Sequence, residues 1–121
     1  YKRMEGIFKN YANFVRTGIP HPDGEIIWMH FPFVIEEGAP FSRKDVQTYL
    51  ELRGIQTRPP FSGNILNQPM MKNQKFIASD SYENSNDMMK NGILLGCHQG
   101  LSDEQFTHIE EVLASFFEQY T

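Results

Sequence analysis

Cysteine is almost missing from this chain of 121 residues, because Cys97 is the only one. A single cysteine cannot form an internal disulfide, so a reducing cytoplasm is the expected location. The histidines show no metal-ligand spacing among themselves or with Cys97. These histidines are His21, His30, His98 and His108. The sequence therefore predicts no metal site.

Long apolar runs are missing as well. The longest unbroken run, from Ile26 to Met29, has four residues, whereas a helix needs roughly 20 to cross a bilayer. The first residues do not show the charged and then apolar segments of a signal peptide. We therefore expect no membrane partner.

Positive charge is scarce: 11 Lys+Arg stand against 15 Asp+Glu, which gives a net charge of −4 at pH 7. Without a basic stripe, binding to nucleic acid has no electrostatic support, and we predict no such partner. The remaining composition, 40% hydrophobic and 21% charged, is typical of a soluble globular protein. The length fits a single domain over residues 1–121 with a core of its own.

An amphipathic pattern predicts a first helix over Met4–Val15, since apolar residues recur at the spacing of one helical face. Gly18 is expected to close this helix. The helix has no preceding residue to cap it, and the chain begins with Tyr1 rather than methionine. We therefore expect that the chain is cut from a longer protein.

Two later helices have clear start signals. Ser42 is followed three residues later by Asp45, and Ser102 is followed three residues later by Gln105, the spacing of a capping box. The first of these helices is expected to end at Gly54. The second carries an apolar stripe that predicts a core face. Its members are Phe106, Ile109, Leu113, Phe116, Phe117 and Tyr120.

Three segments are predicted as strands. Glu25–Ile35 is rich in β-branched and aromatic residues, and Pro32 within it indicates an edge or a bulge. A short strand follows over Ile55–Thr57. Ile93–Cys97 is an apolar run bounded by glycines, in which we expect Cys97 to be a core residue. We interpret His30 as a partly buried structural histidine.

The stretch between the second and third predicted strands has weaker signals. Residues 76–78 are expected to be extended. A short helix is predicted over 81–91, started by Asp80 or Ser81 and stopped by Gly92, with Met88 and Met89 turned inward. Strands separated by helices indicate an α+β fold, a small, mainly antiparallel sheet with helices packed on one face.

The loop from Gly54 to Pro69 is the most informative segment for function. Pro59 and Pro60 prevent the strand from continuing, so Arg58 lies at the carboxyl end of the strand. A planar guanidinium there can bind a carboxylate or a phosphate through two hydrogen bonds, although an ordinary surface arginine explains it about equally well. Residues 63 and 64, Gly-Asn, predict positive φ and either a simple turn or a close approach to a ligand.

Three short sequence patterns together resemble one family. Residues 40–58 read PFSRxxxxxYLxxxGIxTR, residues 61–69 read FxGNIxxQP, and residues 93–104 read ILLGxxxGLSxE, with a helix bearing Met88 and ending at Asn91-Gly92 before the last of them. This succession resembles the carboxyl-terminal domain of DegT-type sugar aminotransferases. The likeness is greatest to the branch that includes CDP-4-keto-6-deoxy-D-glucose 3-dehydratase of lipopolysaccharide biosynthesis, and it extends from about Phe31 to Phe117.

The resemblance implies the small C-terminal domain of a type I pyridoxal-phosphate fold, without its larger N-terminal domain. In the family, that larger domain holds the pyridoxal or pyridoxamine phosphate and supplies the residue that acts on it, a lysine in aminotransferases and a histidine in 3-dehydratases. No lysine of this chain has a matching sequence context. The chain alone is therefore expected to bind no cofactor and to be catalytically inert.

The resemblance also implies contacts with a nucleotide-sugar substrate. Arg58 would bind an anionic group or sugar hydroxyls, Asn64 and Gln68 would offer amide hydrogen bonds, and Phe61 an apolar wall. His98 stands where the family usually has an aromatic residue and is a further candidate contact. Pro59-Pro60 departs from the apolar residues usual before the phenylalanine, which changes the direction in which the loop can point.

Three functions remain open at this stage. The first is dehydration of a nucleotide-linked keto-deoxysugar with loss of the 3-hydroxyl, for which the resemblance implies a homodimeric parent and an iron–sulfur reductase as partner. The second is transamination of such a sugar on the same fold. The third is a free-standing α+β binding module without catalysis, since a fold of this kind hosts many functions.

Overall fold

The structure is a computed structural model that describes residues 1–78 and 81–121. Within these residues the chain forms four α-helices and four β-strands, with short 3₁₀ turns between them. The helices are α1 (Lys2–Lys9), α2 (Arg43–Glu51), α3 (Glu83–Asn91) and α4 (Asp103–Phe117). The strands are β1 (Val15–Thr17), β2 (His30–Ile35), β3 (Thr57–Arg58) and β4 (Gly92–Gly96).

The strands form one antiparallel sheet in the order β1-β2-β4-β3. Phe33 of β2 lies opposite Ile93 of β4, and Thr57 of β3 lies opposite Leu95 of β4. Because β2 and β3 are both antiparallel to β4, they run parallel to each other with a gap of one strand between them. β4, which comes much later in the chain, fills that gap.

One face of the sheet forms the core with α1, α2 and α4. Alternate strand residues point to this face, and its largest fully buried side chains include Phe31, Phe33, Ile93 and Leu95. Helices contribute further buried residues, namely Met4, Phe8, Val46, Leu50, Leu113 and Phe117. Each fully buried large apolar side chain contributes roughly 1.5–3 kcal/mol before chain entropy is subtracted.

The opposite face of the sheet is covered in part by α3. Pro32 and Val34, which alternate with the core residues of β2, line a small hollow together with Asn84 and Met88 of α3. No residue of α3 is fully buried. This helix therefore has a weaker apolar attachment than the three helices on the core face.

Both predicted capping boxes are present. The Ser42 side chain accepts a hydrogen bond from the Asp45 N–H and the Asp45 carboxylate accepts one from the Ser42 N–H, and Ser102 and Gln105 make the same exchange at α4. The predicted core stripe of α4 is confirmed at Ile109, Leu113, Phe116 and Phe117, whereas Phe106 is only partly buried and Tyr120 lies beyond the helix and is 37% exposed. The predicted burial of Cys97, which is 4% exposed, is also confirmed.

The first predicted helix is too long. α1 ends at Lys9, and Val15 begins β1, a strand that the sequence did not indicate. The intervening turn is closed by hydrogen bonds from the Phe14 and Val15 N–H groups to the Tyr11 carbonyl. Tyr11 and Phe14 nevertheless stack on Phe117, so their apolar spacing serves the core without being helical.

The strand predicted over Glu25–Ile35 is shorter in the structure, where β2 begins at His30. Ile27 is 92% exposed and has no core to face. Pro32 lies just outside the part of β2 that pairs with β1. At this residue β2 is therefore an edge strand, which is where proline was expected. The prediction for His30 is wrong: it is exposed at the start of β2, because β1 has already ended there.

Residues 76–78 form no strand, and Ile77 is fully exposed. The short helix is confirmed as α3 with Gly92 at its C-cap, although its N-cap residue is Tyr82 rather than Ser81. Met88 and Met89 are partly buried. The alternative start at Asp80 lies outside the described residues.

The α+β class with a small antiparallel sheet is confirmed, with four strands in place of the expected three. In the described ranges, the helices lack the combination of length and hydrophobicity that a membrane span requires.

Candidate functional site

A cleft of about 500 Å³ opens between the edge strand β3, the adjoining end of β4 and the first half of α4. This volume is within the range of about 300–1,000 Å³ that is common for small-molecule sites. We refer to it as the β3–α4 cleft. Its polar and titratable lining residues are His30, Gln56, Arg58, His98, Glu104, Gln105 and His108.

Arg58 reaches this cleft because the chain turns sharply after α2. Gly54 has φ of +78°, which a glycine adopts without strain, and the Ile55 N–H donates to the Leu50 carbonyl at 3.0 Å. The chain then pairs with β4 for two residues only, as Thr57 lies opposite Leu95 and Arg58 opposite Leu94.

Thr57 anchors this short strand from the inside. It is 3% exposed, and its hydroxyl and N–H donate to Oε1 of Glu51 at 2.7 and 2.8 Å. Gln47 donates to the same hydroxyl at 3.0 Å. The pKa of Glu51 is lowered mainly by the hydrogen bond from the Thr57 hydroxyl and to a smaller extent by the hydrogen bond from the Thr57 N–H. Because neighbouring strand residues point to opposite faces, a fixed Thr57 directs Arg58 away from the core.

The Arg58 guanidinium is largely uncommitted. Within residues 1–78 and 81–121 its hydrogen bond is a long one, from Nη1 to the Thr57 carbonyl at 3.4 Å, and no carboxylate lies within ion-pair distance of it. Most of its donors therefore remain available to an anion that enters the cleft.

His98, the other predicted contact that lines the cleft, is held by a local turn. The Gly100 N–H donates to its Nδ1 at 3.1 Å, so a neutral ring carries its proton on Nε2. That Nε2–H is a hydrogen-bond donor at the cleft surface.

His30 and His108 also line the cleft, and sequence reasoning did not select them. His30 lies opposite Gly96, which brings it beside the segment that carries His98. His108 donates from Nε2 to the Arg53 carbonyl at 2.8 Å. The i, i+4 spacing of Glu104 and His108 on one helical face was a usable signal for the second of these residues. The position of His30 depends on strand register, which no local pattern reports.

Glu104 is the one acidic residue of the lining. The pKa of this carboxyl is lowered mainly by a hydrogen bond from Ser102 and to a smaller extent by one from the backbone N–H of Glu104 itself. Gln105 uses its side-chain oxygen to cap α4. In the described parts of the chain, no three His, Cys, Asp or Glu side chains are grouped as metal ligands.

Three of the predicted contacts lie outside the cleft, in the loop after Pro60. Asn64 is 5% exposed; its oxygen accepts from the Leu66 N–H at 3.0 Å, and its amide nitrogen donates to Asn86 at 2.8 Å. Gln68 donates to the Ser62 carbonyl at 3.1 Å. Phe61 is 97% exposed. The structure thus brings Arg58 and His98 together and places these three residues apart from them.

The loop itself is shaped by close contact with α3. Gly63 has φ of +54°, and a side-chain Cβ there would lie 2.5 Å from Cβ of Met89. The side-chain oxygen of Asn86 accepts from both Asn64 and Asn67 at 2.8 Å. Positive φ was predicted for residues 63 and 64 and is confirmed at Gly63 only, since Asn64 is extended with φ of −94°. The partner that approaches Gly63 is a helix of the same chain.

Nearly the whole chain is similar to one family of known proteins. Residues 1–114 match the family described as the DegT/DnrJ/EryC1/StrS aminotransferase family. A dTDP-4-dehydro-2,6-dideoxy-D-glucose 3-dehydratase from Saccharopolyspora spinosa is 30% identical over 97 residues, which cover 80% of this chain and 21% of the relative. A GDP-4-keto-6-deoxy-D-mannose 3-dehydratase from Escherichia coli O55:H7 is 26% identical over 93% of this chain and 29% of its own length.

The fold has a counterpart among solved structures. The E. coli GDP-4-keto-6-deoxy-D-mannose 3-dehydratase with bound hydrated PLP superposes with a TM-score of 0.80 at 26% identity, over 93% of this chain and 28% of that one. This chain therefore spans less than a third of the length of the relatives it matches.

Proposed function

Because the chain belongs to the DegT/DnrJ/EryC1/StrS aminotransferase family, we propose that it is the C-terminal small domain of a larger enzyme that dehydrates a nucleotide-linked keto-deoxysugar. The observation that carries this proposal is the superposition of 93% of the chain on a sugar 3-dehydratase. The two curated relatives described above are also 3-dehydratases of nucleotide-linked deoxysugars. The biological setting that follows is deoxysugar and lipopolysaccharide biosynthesis.

The cofactor of the parent enzyme is proposed to be pyridoxal or pyridoxamine phosphate, since the E. coli structure has bound PLP. When bound, this group supplies an electron sink for bond cleavage next to a ketone. The β3–α4 cleft contains no lysine, and all six lysines of the chain are exposed elsewhere on its surface. They are Lys2, Lys9, Lys44, Lys72, Lys75 and Lys90. The cofactor and the residue that acts on it are therefore assigned to the large domain.

The contribution proposed for this chain is contact with the substrate. Arg58 offers guanidinium donors and His98 offers its Nε2–H within one cleft. Phe61, Asn64 and Gln68 stay proposed contacts on the adjoining loop. Asn64 and Gln68 already use hydrogen bonds to hold the loop, so they would position Phe61 as well as meet a sugar directly.

Assembly and location are part of the same proposal. We infer a homodimeric parent, an iron–sulfur reductase as its electron donor, and a cytoplasmic enzyme. The single cysteine of the chain, Cys97, is free and buried, as is usual for proteins of the reducing cytoplasm. Size-exclusion chromatography with light scattering on the full-length protein measures the first.

The direct test is the gene sequence upstream of Tyr1. We expect it to encode a cofactor-binding aminotransferase-type domain with a histidine at the position that acts on the cofactor. An upstream region that encodes no such domain would reject the proposal.

Transamination is the second candidate within the same family, since the family description names aminotransferases. A lysine at the upstream position would favour it. The full-length protein, given a nucleotide-linked 4-keto-6-deoxysugar and an amino donor, would then add nitrogen to the sugar, whereas a dehydratase would remove the 3-hydroxyl. Mass spectrometry of the sugar separates the two products.

A free-standing binding module is the remaining alternative. A thermal shift assay on the chain with a CDP-sugar, with RNA and without ligand compares the two classes. Stabilisation by RNA alone would favour the module and contradict the enzyme proposal.

A further inference from the structure

The strand that carries Arg58 has few contacts of its own to hold it in place. β3 has two residues, which pair with Leu95 and Leu94 of β4, whereas strands usually have three to ten residues, roughly. Pro59 and Pro60 follow, and proline has no backbone N–H with which to extend the ladder. The position of Arg58 therefore depends on contacts from outside the sheet.

Helix α2 supplies such contacts through two side chains that lie one turn apart. Oε1 of Glu51 accepts from the Thr57 hydroxyl at 2.7 Å and from the Thr57 N–H at 2.8 Å, and the Gln47 amide donates to the same hydroxyl at 3.0 Å. Residues four apart lie on one face of a helix, so α2 offers this hydroxyl an acceptor and a donor together. Glu51 thereby holds both the side chain and the backbone of the first residue of β3.

The guanidinium of Arg58 has no comparable anchor. Within residues 1–78 and 81–121 it makes one long hydrogen bond, to the Thr57 carbonyl at 3.4 Å, and no ion pair. The direction in which Arg58 enters the cleft is therefore set by its backbone, which continues directly from the residue that Glu51 holds.

We propose that Glu51 is a positioning residue, which fixes β3 through Thr57 so that the Arg58 guanidinium points into the β3–α4 cleft in the orientation that a bound substrate requires. This inference rests on the proposed function for the contact between Arg58 and the substrate. Glu51 is not among the described residues that line the cleft, so it acts through Arg58 and not by touching the ligand. Donors that are held in place before the ligand arrives bind it at a smaller entropic cost.

Glu51 also carries a charge, and a role of that charge alone predicts a different result. The pKa of Glu51 is lowered mainly by the hydrogen bonds from Thr57 and to a smaller extent by the charge of Arg58. If attraction to the guanidinium were the main role, any neutral residue at position 51 would leave Arg58 more available to an anion and strengthen binding. Glutamine keeps the accepting oxygen and removes the charge, whereas leucine removes both. The two substitutions therefore separate position from charge.

The test is steady-state kinetics of the full-length enzyme with GDP-, CDP- and dTDP-linked 4-keto-6-deoxyhexoses, continued with the probe that gives the highest kcat/KM. Glu51→Leu should raise KM roughly threefold to tenfold and leave kcat within about twofold, because the weakened contact is made to substrate and transition state alike. Glu51→Gln should keep KM within about twofold of the native value, since the amide oxygen accepts the same hydrogen bonds. Glu111→Leu, at an exposed position of α4, is the matched control and should change neither constant.

Further variants show whether the effect passes through Thr57 and Arg58. Thr57→Val removes the hydroxyl and should raise KM, whereas Thr57→Ser keeps the hydroxyl and should restore KM to near the native value. Arg58→Gln should raise KM roughly tenfold or more. Glu51→Leu added to Arg58→Gln should then raise KM by less than about twofold, because the group that it positions is already missing.

Hydrogen exchange gives a measurement that needs no substrate. The Thr57 N–H, which donates to Glu51, should exchange faster in Glu51→Leu than in the native chain or in Glu51→Gln. Mass spectrometry of a peptide over residues 55–60 detects this change. A peptide over residues 103–117 of α4 should keep its rate, which shows that the fold as a whole has not opened.

The outcomes separate this inference from the proposed function. A rise in KM that is equal in Glu51→Leu and Glu51→Gln, or equal with and without Arg58, would overturn the inference and leave the enzyme assignment standing. Unchanged KM in Glu51→Leu, or unchanged exchange over residues 55–60, would overturn it in the same way. Turnover of none of the three probes by the native enzyme would instead reject the proposed function, and the inference with it.

Discussion

Oε1 of Glu51 accepts two hydrogen bonds from Thr57, one from the hydroxyl at 2.7 Å and one from the backbone N–H at 2.8 Å. This pair ties the end of α2 to the short edge strand β3. The strand has only two residues, so its position, and with it that of Arg58, depends on this link.

The first prediction concerns pH. The hydrogen bonds from Thr57 lower the pKa of Glu51 in the folded chain. A lowered folded pKa means that the stabilisation is complete above the unfolded pKa and is lost as the pH falls through the folded one. Glu51→Gln removes this titration, so its unfolding midpoint in urea should change less between about pH 6 and about pH 3 than that of the native chain. Glu111→Gln, an exposed change on α4, is the control, and an equal flattening there would contradict the assignment.

The second prediction concerns Asn86. Its side-chain oxygen accepts from the amides of Asn64 and Asn67, and Asn64 is 5% exposed. Asn86→Ala leaves a buried donor unpaired, which costs about 1–3 kcal/mol of unfolding free energy. Urea denaturation measures it, with an unchanged m-value expected.

Two further variants sharpen that result. Asn84→Ala, on an exposed position of the same helix, should leave the unfolding free energy unchanged or raise it by up to about 0.7 kcal/mol, because alanine has the higher helix propensity. Asn86→Asp keeps an acceptor and should recover part of the loss. A loss in Asn84→Ala as large as that in Asn86→Ala would mean that the loss is not specific to the amide contacts of Asn86.

The third prediction concerns the contact of the loop with α3. Gly63→Ala introduces a Cβ that would lie 2.5 Å from Cβ of Met89 at a φ of +54°. We expect a loss of roughly 1–3 kcal/mol in unfolding free energy from overpacking and strain together. Gly38→Ala is the matched control, because Gly38 has φ of +91° and no atom near its Cβ position. If both variants lose the same stability, backbone strain alone explains the effect.

The fourth prediction concerns the ion pair between Arg16 of β1 and Asp87 of α3. Burial raises the pKa of Asp87, but hydrogen bonds from Asn91 and Arg16 outweigh it and leave the pKa lowered. Because the side chains are 47% and 32% exposed, a double-mutant cycle with Arg16→Gln and Asp87→Asn should give a coupling of only about 0.2–1 kcal/mol. The coupling should shrink in 1 M salt, because the Debye length is then only about 3 Å and the attraction between exposed charges is largely screened. A coupling insensitive to salt would argue against an electrostatic attachment of α3.

The sequence alone was sufficient to predict those features whose signal lies within one short segment of the chain. The capping boxes at Ser42 and Ser102 bring groups three residues apart into contact, so they could be identified before the fold was known. The stripe of α4 and the apolar run of β4 likewise depend on periodicity within one segment. The family patterns around Arg58 belong to the same class, because each lies within a short stretch of chain.

Only the tertiary structure decided which distant residues meet. β1 has three residues and is stable as a strand only because β2 pairs with it, so nothing in its own sequence distinguishes it from the end of a helix. His30 comes to the cleft through its register with Gly96, and Asn86 meets Asn64 through the packing of α3. Contacts of this kind depend on the relative position of whole elements, a property of the assembled core that no single segment encodes.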